Sequence, residues 1–550
     1  MRQRLQALRP LLRGTWPWFR REARLTEKLR TIWDGSNQID RKFDLIRLFH
    51  DFRQPDLHET VDDKTWSDLE MDEVFASLDR TVGSVGRQYL YSLLRTWEPD
   101  LCELRRRASL RALFRSNPDL REAIQRELYR LRHDDAYFVV SFLSEELPER
   151  PPACFLIYLA SAAFFGSLIT GFFVPAFFLI AAGLAAINLT INVLYGSRVF
   201  QYFGQLTFLT SLLTVASRLA ALLPPGRVAE IDVLRKHRTL AVRLNRRMFW
   251  LCVDEARLNE ISSAFFIFLN VFGLSKLVAF LRSVDDLRSS RAEIRAIFDA
   301  VGSLDALLAA AGYEESLGPH CQPILNANGL VDVAGIYHPL IGNPVGNSFR
   351  LESRSALITG SNLAGKTTFI KTIGVNLILA RTLYMCLAES AILPEVTVRA
   401  SIKHDDRVLD GHSYYSREIE QIATFVRCPP DSCLLLIDEI FRGTNTVERV
   451  AIAAATVRYL SDRNLVLVTT HDVELQELLA DCSRMFHFSE VVEGGKYFFD
   501  YRLRPGPCGA GNAVKLIELR QFPREIVEAA RRRVEELQGL TTDGLTKSAG

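Results

Sequence analysis

The residues Gly360-Ser361-Asn362-Leu363-Ala364-Gly365-Lys366-Thr367-Thr368 fit the pattern G-x-x-x-x-G-K-[ST]. In such a loop the glycines free the backbone to wrap a phosphate chain, and the N-terminus of the following helix points its N–H groups at the charge. Lys366 is placed to reach the outer phosphates, and the Thr367 hydroxyl to ligate Mg²⁺. A second group lies downstream, where the apolar run Leu434–Ile437 ends in Asp438-Glu439. A carboxylate pair at a strand tip suits nucleotide chemistry: Asp438 for the Mg²⁺ shell, Glu439 to orient or deprotonate the attacking water. A third run, Leu465–Val468, ends in Thr469-Thr470-His471-Asp472 and offers His471 to the γ-phosphate. An acidic turn or a lone histidine is usually structural, and the phosphate loop is what gives each a role here.

These side chains need strand ends to carry them. Ala356–Ile358 leads into the loop as a buried strand would, and Phe369–Leu379 leads out with helical spacing. Residues 326–540 alternate strand and helix, which predicts an α/β unit with a mostly parallel sheet. Residues 1–150 and 198–325 read as largely helical, and the change falls near the Gly/Pro/Asn-containing stretch Gly312–Gly329. A chain of 550 residues exceeds the ~150 of one ordinary domain.

Composition narrows the class. Hydrophobic residues make up 48% and charged residues 24%, with a net charge of only +2, so there is no global signature of polyanion binding. The nine cysteines form no C-x-x-C pair, which argues against a metal or disulfide frame and for reduced thiols. The basic stretch Met1–Arg24 is interrupted by Trp16, Trp18 and Phe19 and lacks the apolar core of a signal peptide. The tail Thr541–Gly550 reads as disordered.

From Pro151 to Ser197 there is no charged residue. Ala153–Gly171 and Phe173–Leu194 are each long enough to cross a bilayer, which takes ~20 apolar residues per helix. Arg150 and Arg198 flank the pair, so both flanks face the cytosol and the segment reads as a transmembrane hairpin. The run Ile261–Leu281 holds Asn270 and Lys276 and reads as a buried core helix; Phe200–Leu223 reads as a packed helix.

The site motifs resemble the ATPase domain of the MutS family, a branch of the ABC-type P-loop ATPases. The family's G-P-N-M-G-G-K-S-T is matched by Gly360–Thr368, and its D-E-x-x-R-G-T-x-T by Asp438-Glu439-Ile440-Phe441-Arg442-Gly443-Thr444-Asn445-Thr446. Its S-x-[FY]-x-x-E signature is matched by Ser413-Tyr414-Tyr415-Ser416-Arg417-Glu418, its T-H by Thr470-His471, and its R-H-P by Tyr337-His338-Pro339. A weaker match, Leu78-Asp79-Arg80-Thr81 with Gly86 and Leu93-Leu94-Arg95, resembles the opening of the family's helical lever/core domain. The resemblance implies a lever/core at 65–150 and 198–325 and an ABC-type ATPase at 326–540; composition adds a basic helical arm at 1–64, the membrane hairpin at 151–197, where the chain departs from the family, and the tail at 541–550.

It also implies ATP and Mg²⁺ as cofactors, Glu439, His471 and Lys366 as catalytic residues, and Thr367 and Asp438 as metal ligands. Ser413 of one chain would face the nucleotide held by a second copy, in a homodimer. The expected protein is a membrane-anchored ATPase with two spans at 153–194 and a cytoplasmic ATPase domain, using ATP to drive conformational change. The competing expectation is a DNA-binding or scaffolding module using ATP as a slow state switch, and an ABC transporter half is a weaker third. The resemblance leaves DNA open as a ligand. Lever-like residues from about Thr65, and apolar helices where the family inserts its clamp, argue against mismatch recognition.

Overall fold

A computed structural model describes residues 17–35, 40–53, 60–133, 137–144, 149–150, 154–251, 260–361, 364–402, 414–441, 445–472, 474–493, 496–507, 518 and 522–534. Ser413, Asn362, Leu363 and the tail at 541–550 lie outside these residues. The chain forms two compact units: Met1–Pro55, Ala76–Leu93 and Arg106–Ser316 in one, Asp56–Phe75, Leu94–Arg105 and Leu317–Gly550 in the other.

The first unit is helical throughout its described residues. Its elements of consequence are α1 (Ser84–Arg95), α2 (Cys154–Gly171), α3 (Phe177–Ile191), α4 (Glu260–Val271), α5 (Ser275–Ser289) and α6 (Arg291–Glu315). The Leu78–Thr81 and Gly86 motif is a buried polar knot. Asp79 receives Arg41 and Arg87, each at 3.0 Å, and the Thr81 hydroxyl. Burial alone would raise its carboxyl, but the two guanidinium groups outweigh that and hold it below the ordinary range. Arg80 donates to the Trp33 and Gly312 carbonyls. Asp305 of α6 accepts the Val82 and Gly83 N–H groups at 2.9 and 2.8 Å, just ahead of the α1 N-terminus. Gly86 is required because a Cβ there would enter the Asp305 carboxylate.

Two helical stretches, Cys154–Gly171 and Phe177–Tyr195, are long and apolar enough to cross a membrane, and only 22% and 11% of them is buried. Ser197–Leu219 packs as expected, with Leu206, Leu209, Leu212 and Leu213 buried. The expectation of one buried core helix over Ile261–Leu281 fails. The segment is two helices, α4 and α5, bent by 62°, and α4 has no buried residue. Leu274, the residue just before α5, sits in the left-handed region at φ 56°, so α4 and α5 do not run on as one helix. An apolar run without a clear polar face does not say by composition whether protein or another apolar medium covers it.

The second unit holds two mixed sheets. The larger has strand order β10-β9-β4-β8-β7-β6, from β4 (Ser355–Thr359), β6 (Thr397–Ser401), β7 (Cys433–Asp438), β8 (Leu465–Thr470), β9 (Arg484–Glu493) and β10 (Lys496–Pro505). The pairings from β9 through β4, β8 and β7 to β6 are parallel, while β10 returns antiparallel on β9. The smaller, in order β1-β5-β2-β3, joins β1 (Ile324–Asn326), β2 (Val331–Ile336), β3 (Asn347–Leu351) and β5 (Ser390–Pro394). Two of its three pairings are antiparallel, so the expectation of a single mostly parallel sheet does not describe the whole unit. Its short strands, of 3–6 residues, carry too little periodicity to be separated from the larger sheet by sequence. The exposed edge of β6 is covered by the helix Asp63–Asp68. Ala400 N–H donates to Thr65 Oγ1 at 3.0 Å and Ile402 N–H to the buried Asp68 at 2.7 Å. The core under the large sheet is Leu357, Leu435, Ile437, Val466, Val468 and Phe425 with their neighbours.

Two glycines test the knot. Gly86→Ala forces a methyl group into the Asp305 carboxylate, and overpacking of that kind costs ~1–3 kcal/mol. Gly204→Ala, with open space around it, is neutral or slightly stabilising. Thermal unfolding in detergent should show a lower midpoint for the first variant only; equal midpoints would contradict the assignment.

Candidate functional site

All five residues of β4 are buried, so the chain leaves the sheet centre at a fixed point. Gly360 follows at φ 132° and Gly365 at φ 102°, values that favour glycine. A Cβ on Gly360 would run into the Phe488 carbonyl, so the loop passes where no side chain fits. Lys366 opens α7 (Lys366–Leu383) and is 1% exposed. Its ammonium donates to the Gly360 carbonyl at 2.7 Å and lies 3.3 Å from His471 Nε2. Ala364 N–H donates to the Ser361 carbonyl at 3.1 Å, and Thr368 is exposed on the first turn of α7.

The carboxylates meet this loop from β7. Thr367 Oγ1 donates to Asp438 Oδ2 at 2.8 Å, and the other Asp438 oxygen accepts the Thr469 hydroxyl from β8. Glu439 N–H donates to the Thr469 carbonyl at 3.0 Å, and its carboxylate lies 2.8 Å from His471 Nε2. Lys366, His471 and Glu439 therefore form one contiguous chain beside the Thr367–Asp438 pair. The sequence-predicted residues Lys366, Thr367, Asp438, Glu439 and His471 converge from three neighbouring strand ends.

Three partners were not assigned from sequence. Thr469 fixes Asp438. Glu418, on α8 (Tyr414–Val426), accepts the Phe441 N–H. Arg449, on α9 (Thr446–Ser461), grips Asp472 through two nitrogens at 2.6 and 3.1 Å, just beyond His471. The turn after β7 is strained: Glu439 and Phe441 are non-glycine residues at φ 55° and 60°. Glu418 lies in the Ser413–Glu418 match, which was the available sequence signal. His338 of Tyr337-His338-Pro339 is buried, and desolvation pushes its imidazole down to about 4, so it is neutral near pH 7.

The residues present suit Mg²⁺ and a nucleotide. The backbone cradle at Gly360 admits no side chain, and the Ser361 hydroxyl is buried without a hydrogen-bond partner. Among the described residues no cluster of three or more His, Cys, Asp or Glu forms a metal cage. One hydroxyl and one carboxylate are the sparse hold usual for Mg²⁺, which keeps waters and phosphate oxygens in its shell.

Glu418→Ala removes the acceptor of the Phe441 amide. A hydrogen bond to a charged acceptor is worth ~1.5–3 kcal/mol, so hydrogen exchange at Phe441 should quicken by roughly 10–100-fold. Unchanged protection would show that the turn holds itself.

Residues 356–538 match the family profile described as MutS domain V. The "DNA mismatch repair protein MutS" of Chloroflexus aurantiacus is 28% identical over 275 residues, covering 47% of this chain and 28% of that protein. Its namesake in Natronomonas pharaonis is 29% identical over 270 residues, covering 47% and 31%. That of Thermus thermophilus is 31% identical over 199 residues, covering 35% and 24%. The matches span less than a third of each relative's length. The C-terminal part of the chain is therefore similar to MutS domain V and to MutS proteins, at 28–31% identity.

Proposed function

We propose that this chain is a membrane-anchored, Mg²⁺-dependent ATPase of MutS type that uses ATP binding and hydrolysis to change conformation in a homodimer. The observation that carries the reading is the Lys366–His471–Glu439 chain lying against the Thr367–Asp438 pair. Loop residues 360–368 would hold the phosphates, with Lys366 neutralising their outer oxygens. Thr367 and Asp438 would hold Mg²⁺. Glu439 would orient and deprotonate the attacking water, and His471 would fix the Glu439 carboxylate at 2.8 Å. Bound ATP supplies the phosphoanhydride whose cleavage drives the cycle.

The trans role of Ser413 rests on the signature-like segment that runs into α8, and it makes the dimer part of the site. Anchoring rests on the two exposed apolar helices of bilayer length. The relatives' names concern DNA mismatch repair, and here DNA is proposed only as a modulator of turnover.

Salt-washed membranes carrying the protein should retain Mg²⁺-dependent ATP turnover. Glu439→Gln in the same membranes should bind ATP but turn it over roughly 10²–10⁴ times more slowly. Full turnover by that variant, or loss of the protein from the membranes, would refute the corresponding half of the proposal.

A further inference from the structure

We infer that α4 is a third lipid-embedded helix, reaching only into the near leaflet and turning back at Gly273, where Ser161 and Asn188 of the hairpin hold the broken backbone. The inference rests on the membrane reading of α2 and α3. The first observation is exposure. A surface helix in water hides one apolar stripe. None of α4 is buried, although its residues Ala264–Leu269 are all apolar, with Ile261 85% and Phe265 57% exposed.

The second observation is the break. Between Val271 and Ser275 the chain bends by 62°, and a side chain on Gly273 would strike Phe165 of α2. Breaking a helix frees carbonyl groups, which in hydrocarbon must find donors within the protein. Here they find them on both arms of the hairpin. Ser161 Oγ of α2 donates to the Gly273 carbonyl at 2.6 Å, and Asn188 Nδ2 of α3 donates to the Phe272 carbonyl at 2.6 Å. Both side chains are buried, at 8% and 0% exposure, on helices whose outer faces are bare apolar surface. Polar groups turned inward and apolar groups turned outward are the arrangement of helices packed in lipid.

Depth and direction follow from the same contacts. Ser161 lies one and a half to two turns into α2, ~10 Å along the axis, so the break sits about a third of the way into a ~30 Å core. On the far side of the bend α5 carries Asp285, which pairs with Arg150 at the foot of α2 at 2.9 Å, and Asp286, which pairs with Arg247. Trp250, three residues beyond Arg247, lies beside Phe266 of α4 with ring centres 5.8 Å apart and tilted by 50°. Charges and an indole thus gather on one side, as at a membrane–water boundary. The Phe164–Phe268 contact, 5.9 Å, joins α2 to α4 so that lipid covers one continuous face.

The test places a photoreactive benzophenone side chain at Phe265, with a second protein carrying it at Leu179 of α3, an outward position 80% exposed. The full chain is reconstituted in phosphatidylcholine/phosphatidylglycerol nanodiscs, irradiated and analysed by mass spectrometry. Lipid adducts at both positions are expected. Adducts at Leu179 alone would overturn the inference and leave the hairpin standing. Adducts at neither would overturn both. Asn188→Leu, which keeps bulk but removes the donor, should lower the Phe265 adduct yield about threefold, the effect of one interhelical hydrogen bond in lipid, with Leu179 unchanged. An unchanged Phe265 yield would refute the clasp.

Discussion

The hydrogen bond from Thr367 to Asp438 is the constraint on which the site depends. Thr367 follows β4 and Asp438 ends β7, and β8 lies between them in the sheet. The bond therefore bridges a strand, and Thr469 at the end of β8 closes it from beneath by donating to the same carboxylate. Parallel register fixes the three ends together, pairing Thr359 with Thr470 and Asp438 with Thr469. A slip of one residue would turn each of these side chains to the opposite face of the sheet. The strands are buried, and Asp438 reaches the loop at 360–368 as the last residue of β7.

The same packing explains the strained turn beyond. Glu439 must point toward His471 while its backbone stays tied to Thr469, and the left-handed conformations at Glu439 and Phe441 reconcile the two demands. Such conformations persist only where surroundings over-determine them. The Glu418 carboxylate on the Phe441 amide is one such determinant, so the strand tip, the turn and α8 act as one piece.

Much of this was legible because the chemistry is local. The phosphate loop, the Asp438-Glu439 pair and His471 each sit at the end of an apolar run, and strand ends of an α/β sheet are where ligands bind. What escaped was non-local. Thr469, Glu418 and Arg449 gain their roles only from neighbours brought up by the fold. The lever-like motif was recognisable as a pattern, but its meaning lies in Asp305, more than 200 residues away, capping the start of α1. The segment Ile261–Leu281 misled because an apolar run does not show where a helix breaks; the left-handed Leu274 and the carbonyls at Phe272 and Gly273, bound by Asn188 and Ser161, mark the break.

The account's central claim is that the loop at Lys366 is the working end of an ATPase. The most direct measurement is Mg²⁺-dependent ATP turnover by the full chain in nanodiscs, compared between the wild type and Lys366→Ala. The account predicts turnover that requires Mg²⁺ and falls to background in the variant, which loses the buried ammonium beside Gly360 and His471. Turnover by Lys366→Ala equal to that of the wild type would contradict it.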